Sequence, residues 1–153
     1  MDTIRFEVGE RENSAEGLVD AVDIFINERD LIDLTKEVEL PFASRDGNPD
    51  LAGSYVGLPI EAIFMPSRRL LGEPEEGWDD WEGMISVFGC GCGVVGCWPL
   101  HVRITVQNDV VVWDDFKQPH RRRWRHDRLG PFVFERKEYE AALRRAPDRR
   151  EKT

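Results

Sequence analysis

The stretch GCGCGVVGCW, residues 89–98, carries every cysteine of the chain: Cys90, Cys92 and Cys97, with Gly89, Gly91, Gly93 and Gly96 beside and between them. Three chemistries are open to thiols so close together. They can converge on a metal ion, which needs sulfurs about 2.3 Å from it. They can react, as nucleophile or redox pair, where a base or local field generates a thiolate. Or they can simply be small buried residues, since cysteine is among the most buried types.

In an extended strand, residues i and i+2 point the same way but stand about 6.5–7 Å apart. Cys90 and Cys92 can therefore share an ion only if the backbone turns at Gly91, which glycine permits. Cys97 and His101 would complete a Cys3His set for zinc or iron, spaced C-x-C-x4-C-x3-H. That spacing departs from the usual C-x2-C zinc pairs, and Pro99 restrains the return of His101. A reactive cysteine would find its nearest base in His101, then in His120 or His126. A Cys92–Cys97 disulfide is also geometrically open. No C-x-x-C motif is present. Strand alternation favours packing: Gly89, Gly91 and Gly93 would share one face and Cys90 and Cys92 the other. The expectation is therefore packed sulfurs, with zinc a less favoured outcome than the absence of any cofactor.

A second cluster is HRRRWRHDR, residues 120–128, with Arg121, Arg122, Arg123, Arg125 and Arg128 around Trp124. Arginines interleaved with an aromatic can hold phosphates and stack a base, or bind a partner. The plainer expectation is an intramolecular or subunit match to the acidic segment at Glu73, Glu75, Glu76, Asp79, Asp80 and Glu82. Asp114 and Asp115 are adjacent, so on a regular strand they face opposite ways and cannot share a substrate proton. Ser54-Tyr55 and its Gly-rich surroundings match neither a nucleophile elbow nor a phosphate loop.

The elements that must position these groups follow from periodicity. Residues 3–8 alternate Ile4, Phe6 and Val8 against polar neighbours, a strand, and GERENSAEG reads as a polar turn. LVDAVDIFIN, 18–27, is apolar on both faces near its end and reads as a central strand. Asp30 caps a short helix over LIDLTKEVEL, with Leu31, Leu34, Thr35 and Val38 on one face. Residues 41–59 read as a long surface loop and EAIFM as a short strand. HVRITVQ and VVVWDDF form a hairpin about Asn108-Asp109. In it Gln107 faces Val110, and Ile104 faces Trp113. Val102, Ile104, Val106, Val111 and Trp113 point to the core, and Arg103 and Asp114 form a cross-strand ion pair. PFVF is a further strand. ERKEYEAALRRA is a helix with Tyr139, Ala142, Leu143 and Ala146 at helical spacing, ended by Pro147 before a frayed tail.

The whole is expected to be α+β: an antiparallel sheet built from hairpins, a short internal helix, and a C-terminal helix packed on it. With 153 residues it is read as a single domain, 1–147, plus the tail 148–153. A net charge of −9 weighs against general nucleic-acid binding and suits a basic protein partner, as a toxin-neutralising protein would have. No stretch approaches the roughly 20 apolar residues of a membrane span, and MDTIRFEVGERENS lacks the apolar core of a signal peptide. Three clustered cysteines fit a reducing compartment, so a cytoplasmic location is expected.

CGCGVVGCWPLHVRITVQNDVVVWDDFKQPHR and LGPFVFERKEYEAAL together resemble a group of small uncharacterised bacterial proteins. These share Cys-x-Cys-Gly, then Gly-Cys-Trp-Pro-Leu, a strand pair ending in Trp-x-x-Phe, and Gly-Pro-Phe-x-Phe before a terminal helix. DIFINERDLIDL resembles their earlier strand-to-helix segment. The resemblance covers about two-thirds of the chain. It implies one module and carries over no activity and no catalytic residue. The leading expectation is a small acidic binding protein. A thiolate metal-binding protein is one alternative, and a Cys-dependent or phosphate-ligand enzyme the other.

Overall fold

A computed structural model describes residues 1–13, 16–79, 81 and 83–144. β1 (Ile4–Asn13) and β2 (Gly17–Ile26) pair antiparallel in unbroken register from Ile4↔Ile26 to Asn13↔Gly17. Phe6 and Val8 are buried, as the alternation requires. β1 nevertheless runs past Val8 into the polar stretch that reads as a turn, as far as Asn13, because its backbone is satisfied by β2. β3 (Arg29–Asp30) adds to the other edge of β2, which is thus the central strand of three.

α1 (Leu31–Arg45) opens on the expected cap, the Asp30 carboxylate accepting from the Ile32 N–H at 2.8 Å. It does not stop before Pro41. The helix continues for another turn, although an interior proline costs about 3 kcal/mol. Packing offsets that cost: Ala43 is fully buried in a small cluster with Ala52 and Trp124, flanked by Phe42, Leu51 and Trp98. Nor are residues 41–59 a surface loop throughout. A 3-10 turn spans Pro49–Leu51 and β4 spans Val56–Gly57, while Ala52, Tyr55 and Leu58 are buried. EAIFM is not a strand. Ile60–Ile63 form α2 directly after Pro59, burying Ala62 and Ile63.

After a 3-10 turn at Arg69–Leu71, β5 (Ile85–Gly89), β6 (Leu100–Val106), β7 (Val110–Lys117) and β8 (Phe132–Glu135) follow, and α3 (Arg136–Leu143) ends the described chain. These strands and β4 make a second antiparallel sheet, ordered β4-β5-β6-β7-β8. The protein is α+β with two sheets, one more than the sequence led us to expect. The β6–β7 hairpin has the expected register, Ile104↔Trp113, closed by the Gln107 N–H on the Val110 carbonyl at 2.9 Å. Arg103 does lie opposite Asp114, but its ion pair goes to Asp115 at 3.2 Å. The register slips between His101 and Arg103, and Asp115 takes φ +56°, so the expected facing is lost there.

The sheets meet where the Val22 N–H donates to the Leu58 carbonyl at 2.8 Å. Gly57 is required at this seam, since a Cβ there would stand 2.4 Å from the Val22 carbonyl oxygen. One apolar core joins both sheets, and α3 closes it through Tyr139 and Leu143. Trp113, fully buried, donates from Nε1 to the Tyr139 hydroxyl at 2.9 Å, and that hydroxyl donates to the Leu70 carbonyl. No helix among the described residues is long and apolar enough to cross a membrane. Pro147 and the tail lie outside the described residues.

Candidate functional site

The cysteines are not packed as a strand face. β5 ends at Gly89, and two tight turns follow. The Gly93 N–H bonds the Cys90 carbonyl at 3.0 Å, and the Cys97 N–H bonds the Val94 carbonyl at 3.1 Å. The first turn reverses the chain about Gly91 and Cys92, the bend that sharing an ion demands. Gly93 takes φ +94°, so glycine is needed for conformation, and a Cβ there would also press on the end of the Asn13 side chain at 2.7 Å. The three sulfurs lie within 4.8 Å of one another, none in a disulfide. Cys92 and Cys97 are exposed and Cys90 is half-buried. The expectation of packed sulfurs is thereby corrected: the turns bring them together at the surface.

Sulfurs bound tetrahedrally at about 2.3 Å from one ion would sit about 3.8 Å apart, so a small closing movement would complete such a site. The Cys92 N–H already reaches the Cys90 sulfur at 3.5 Å. Proton affinities are split across the cluster. A backbone hydrogen bond with Val94, then a thiol hydrogen bond with Cys90, hold Cys92 below the usual thiol range. Thiol hydrogen bonds with Cys92 and then Cys90, followed by their charges, push Cys97 up to about 11. A cation bound by all three sulfurs would displace their protons.

His101 is not brought to the sulfurs. It is 3% exposed on β6, with its ring 5.7 Å from that of Trp81, and burial pushes its pKa down to about 4. The histidine beside the cysteine loop is His120, whose Nε2 is 2.8 Å from the Gly96 carbonyl oxygen and whose ring stacks on Trp98. A cavity of about 620 Å³ beside the loop is lined by Cys90 and Gly93 together with Glu10, Glu16, Asp20 and Glu61, and by one cation, Arg11. Carboxylates concentrated in a concave surface raise the local concentration of cations.

The arginine run divides. Trp124 is buried, its Nε1 donating to Asp46 at 2.9 Å and its ring edge-on to Trp98, so it is no platform for a base. Arg121 lies over Trp98, 5.0 Å from the ring centroid. Arg122, Arg123, Arg125 and Arg128 are exposed. The acidic segment does not neutralise them through the carboxylates that form ion pairs: Glu73 pairs with Arg68, and Asp79 with Arg69. That second pair is wholly buried and bidentate at 2.8 Å, and Asp79 also accepts from the Ser86 N–H. It anchors the segment that carries Trp78 and Trp81. Arg121, Arg122, Arg123 and Arg125 instead line a cavity of about 920 Å³ with Lys117, His101 and Trp81.

Behind that cavity is a buried network that sequence reasoning missed. Glu39, on the buried stripe Leu31–Thr35–Glu39–Ala43 of α1, accepts from the Tyr55 hydroxyl, the Gly53 N–H and His126 Nε2 at 2.5, 2.9 and 2.8 Å. Burial, and then the charge of Glu39, hold Tyr55 protonated well beyond the usual phenol range. The i, i+4, i+8 spacing from Leu31 was the available signal that Glu39 points inward. Nothing local links it to His126, 87 positions away. Compared with known proteins, the chain matches no family model, no curated protein and no solved structure.

Proposed function

We propose that this is a thiolate metal-binding protein that holds one zinc ion through Cys90, Cys92 and Cys97. The convergence of three sulfurs on a surface turn supports this reading most directly. Thiolates select zinc and other soft or borderline ions over magnesium or calcium. A tetrahedral four-thiolate iron site is less well served, since the cluster has three sulfurs and no fourth protein donor among the described residues. The exposed side of the cluster leaves a fourth position for water or an incoming ligand, as in zinc sites that are not purely structural. The carboxylates beside Cys90 would draw the ion in.

Cobalt(II) substitution tests this reading. Protein titrated with Co²⁺ is expected to develop thiolate-to-metal charge transfer in the near ultraviolet and intense tetrahedral visible bands, saturating at about one equivalent. Zn²⁺ should bleach both. Cys92→Ser and Cys97→Ser should weaken binding by about 100-fold or more, whereas His101→Gln should leave the spectrum intact. Absence of charge-transfer bands in reduced protein would rule the site out.

A further inference from the structure

We infer that the cavity of about 920 Å³ behind β7 is a binding site for a small nucleoside diphosphate, held by Arg122, Arg123 and Arg125 with its base against Trp81. This site is separate from the cysteine cluster and does not depend on the thiolate reading. Four observations carry the inference.

The first is charge. In a chain of net charge −9, exposed arginines should find carboxylates easily. Yet Arg122, Arg123 and Arg125 have no ion-pair partner among the described residues, although all three line one concavity. Two carboxylates share the wall: Asp115 is engaged by Arg103 and Lys117 at 3.2 and 3.4 Å, and Asp127 forms no ion pair among the described residues. The three guanidiniums outnumber the one carboxylate in the wall that has no ion pair, and their planar fork suits the oxygens of linked phosphoryl groups.

The second is the aromatic wall. Trp81 is 41% exposed, a large indole left in solvent at the cavity's edge. Its position is held from behind by the His101 ring and, two residues earlier, by the buried Asp79–Arg69 pair. A pre-positioned indole face is a stacking platform for a planar base. Trp81 therefore takes the role that the sequence suggests for Trp124.

The third is an incomplete polar group. His126 is among the residues lining the cavity, its side chain 1% exposed. Its Nε2 donates to Glu39, but its Nδ1 has no hydrogen-bond partner among the described residues. A buried polar atom left without a partner costs free energy, which a ligand hydroxyl that reaches it can offset. Fourth, the volume is in the range of small-molecule sites and is lined by both apolar and cationic groups.

The test is isothermal titration of the full chain with ADP, AMP, pyrophosphate and a short single-stranded oligonucleotide, together with nitrogen-resolved NMR of the histidine rings. ADP is expected to bind at one site with Kd of about 10–100 μM, at least about five-fold tighter than pyrophosphate, and to shift the His126 Nδ1 resonance. The combined Arg122→Gln, Arg123→Gln, Arg125→Gln variant, whose changes are all at exposed positions, should fold normally and lose at least about ten-fold in affinity. Trp81→Ala should erase the preference for ADP over pyrophosphate while keeping pyrophosphate affinity. No binding of ADP at about 2 mM, or affinity unchanged in the triple variant, would overturn the site. An oligonucleotide that binds more tightly than ADP would overturn the choice of ligand.

Discussion

Cys92 and Cys97 sit in one cluster yet have proton affinities shifted in opposite directions. Since the thiolate is the reactive form, limiting iodoacetamide at about pH 8 should modify Cys92 well before Cys97 in metal-free protein. Peptide mass spectrometry reads the order, and equal labelling would contradict the assigned environment. Zinc should protect all three. His101 gives a second expectation at this scale. Burial, partly offset by Asp79 and reinforced by His120, lowers its pKa from about 6.5 to about 4. The unfolded chain therefore takes up a proton that the folded protein resists. Stability is intact above pH 6.5, falls as pH drops toward 4, and levels off below that. A gap of this size corresponds to about 3 kcal/mol. Urea unfolding at pH 7 and pH 4 should show a loss smaller by about that amount in His101→Gln than in the wild type, and identical losses would refute the claim.

At the scale of elements, the cysteine turn depends on a residue from another sheet. Gly93 lies beside the Asn13 side chain at the end of β1, and it takes a backbone conformation that side chains rarely adopt. Gly93→Ala should cost about 1–3 kcal/mol locally and weaken zinc binding by about ten-fold, with the main unfolding transition little changed. A metal affinity equal to wild type would contradict this account of the turn. The Arg69–Asp79 pair anchors another segment, and both of its side chains are fully buried. Asp79→Ala should therefore destabilise the fold by about 3–5 kcal/mol in denaturant titration. A loss under 1 kcal/mol would mean the pair is dispensable.

What the sequence made legible is also clearest at this scale. The β6–β7 hairpin could be read to the residue because a two-residue turn fixes register locally. The Asp30 cap was legible for the same reason. Passage of α1 through Pro41 was not, because Trp124, which rewards it, lies far along the chain. The need for a turn at Gly91 could be stated from geometry. That the turn forms depends on where β5 stops and on Asn13, which alternation alone does not reveal. Likewise the arginine run was visible, but its concavity and its indole, Trp81, come from three separate segments.

For the whole molecule, the net charge of −9 is unevenly spread. Carboxylates gather beside the cysteine turn and unpaired arginines gather around the larger cavity, so the two faces suit a cation and an anion respectively. The expectation of a basic protein partner rests on the average charge alone and does not use this division. The core is one cluster spanning both sheets, and the three cysteines lie outside it. Chelation should therefore leave the far-ultraviolet circular dichroism unchanged while lowering Tm by a few degrees, unlike a zinc finger that unfolds without metal. Collapse of the spectrum on chelation would show that the site is part of the fold.

The most direct measurement combines elemental analysis and thiol titration on a single sample of tag-free protein. The account predicts about one equivalent of zinc, with the three thiols protected until a chelator is added. Less than about a tenth of an equivalent, with all three thiols titrating at once and no uptake of added Zn²⁺, would contradict it.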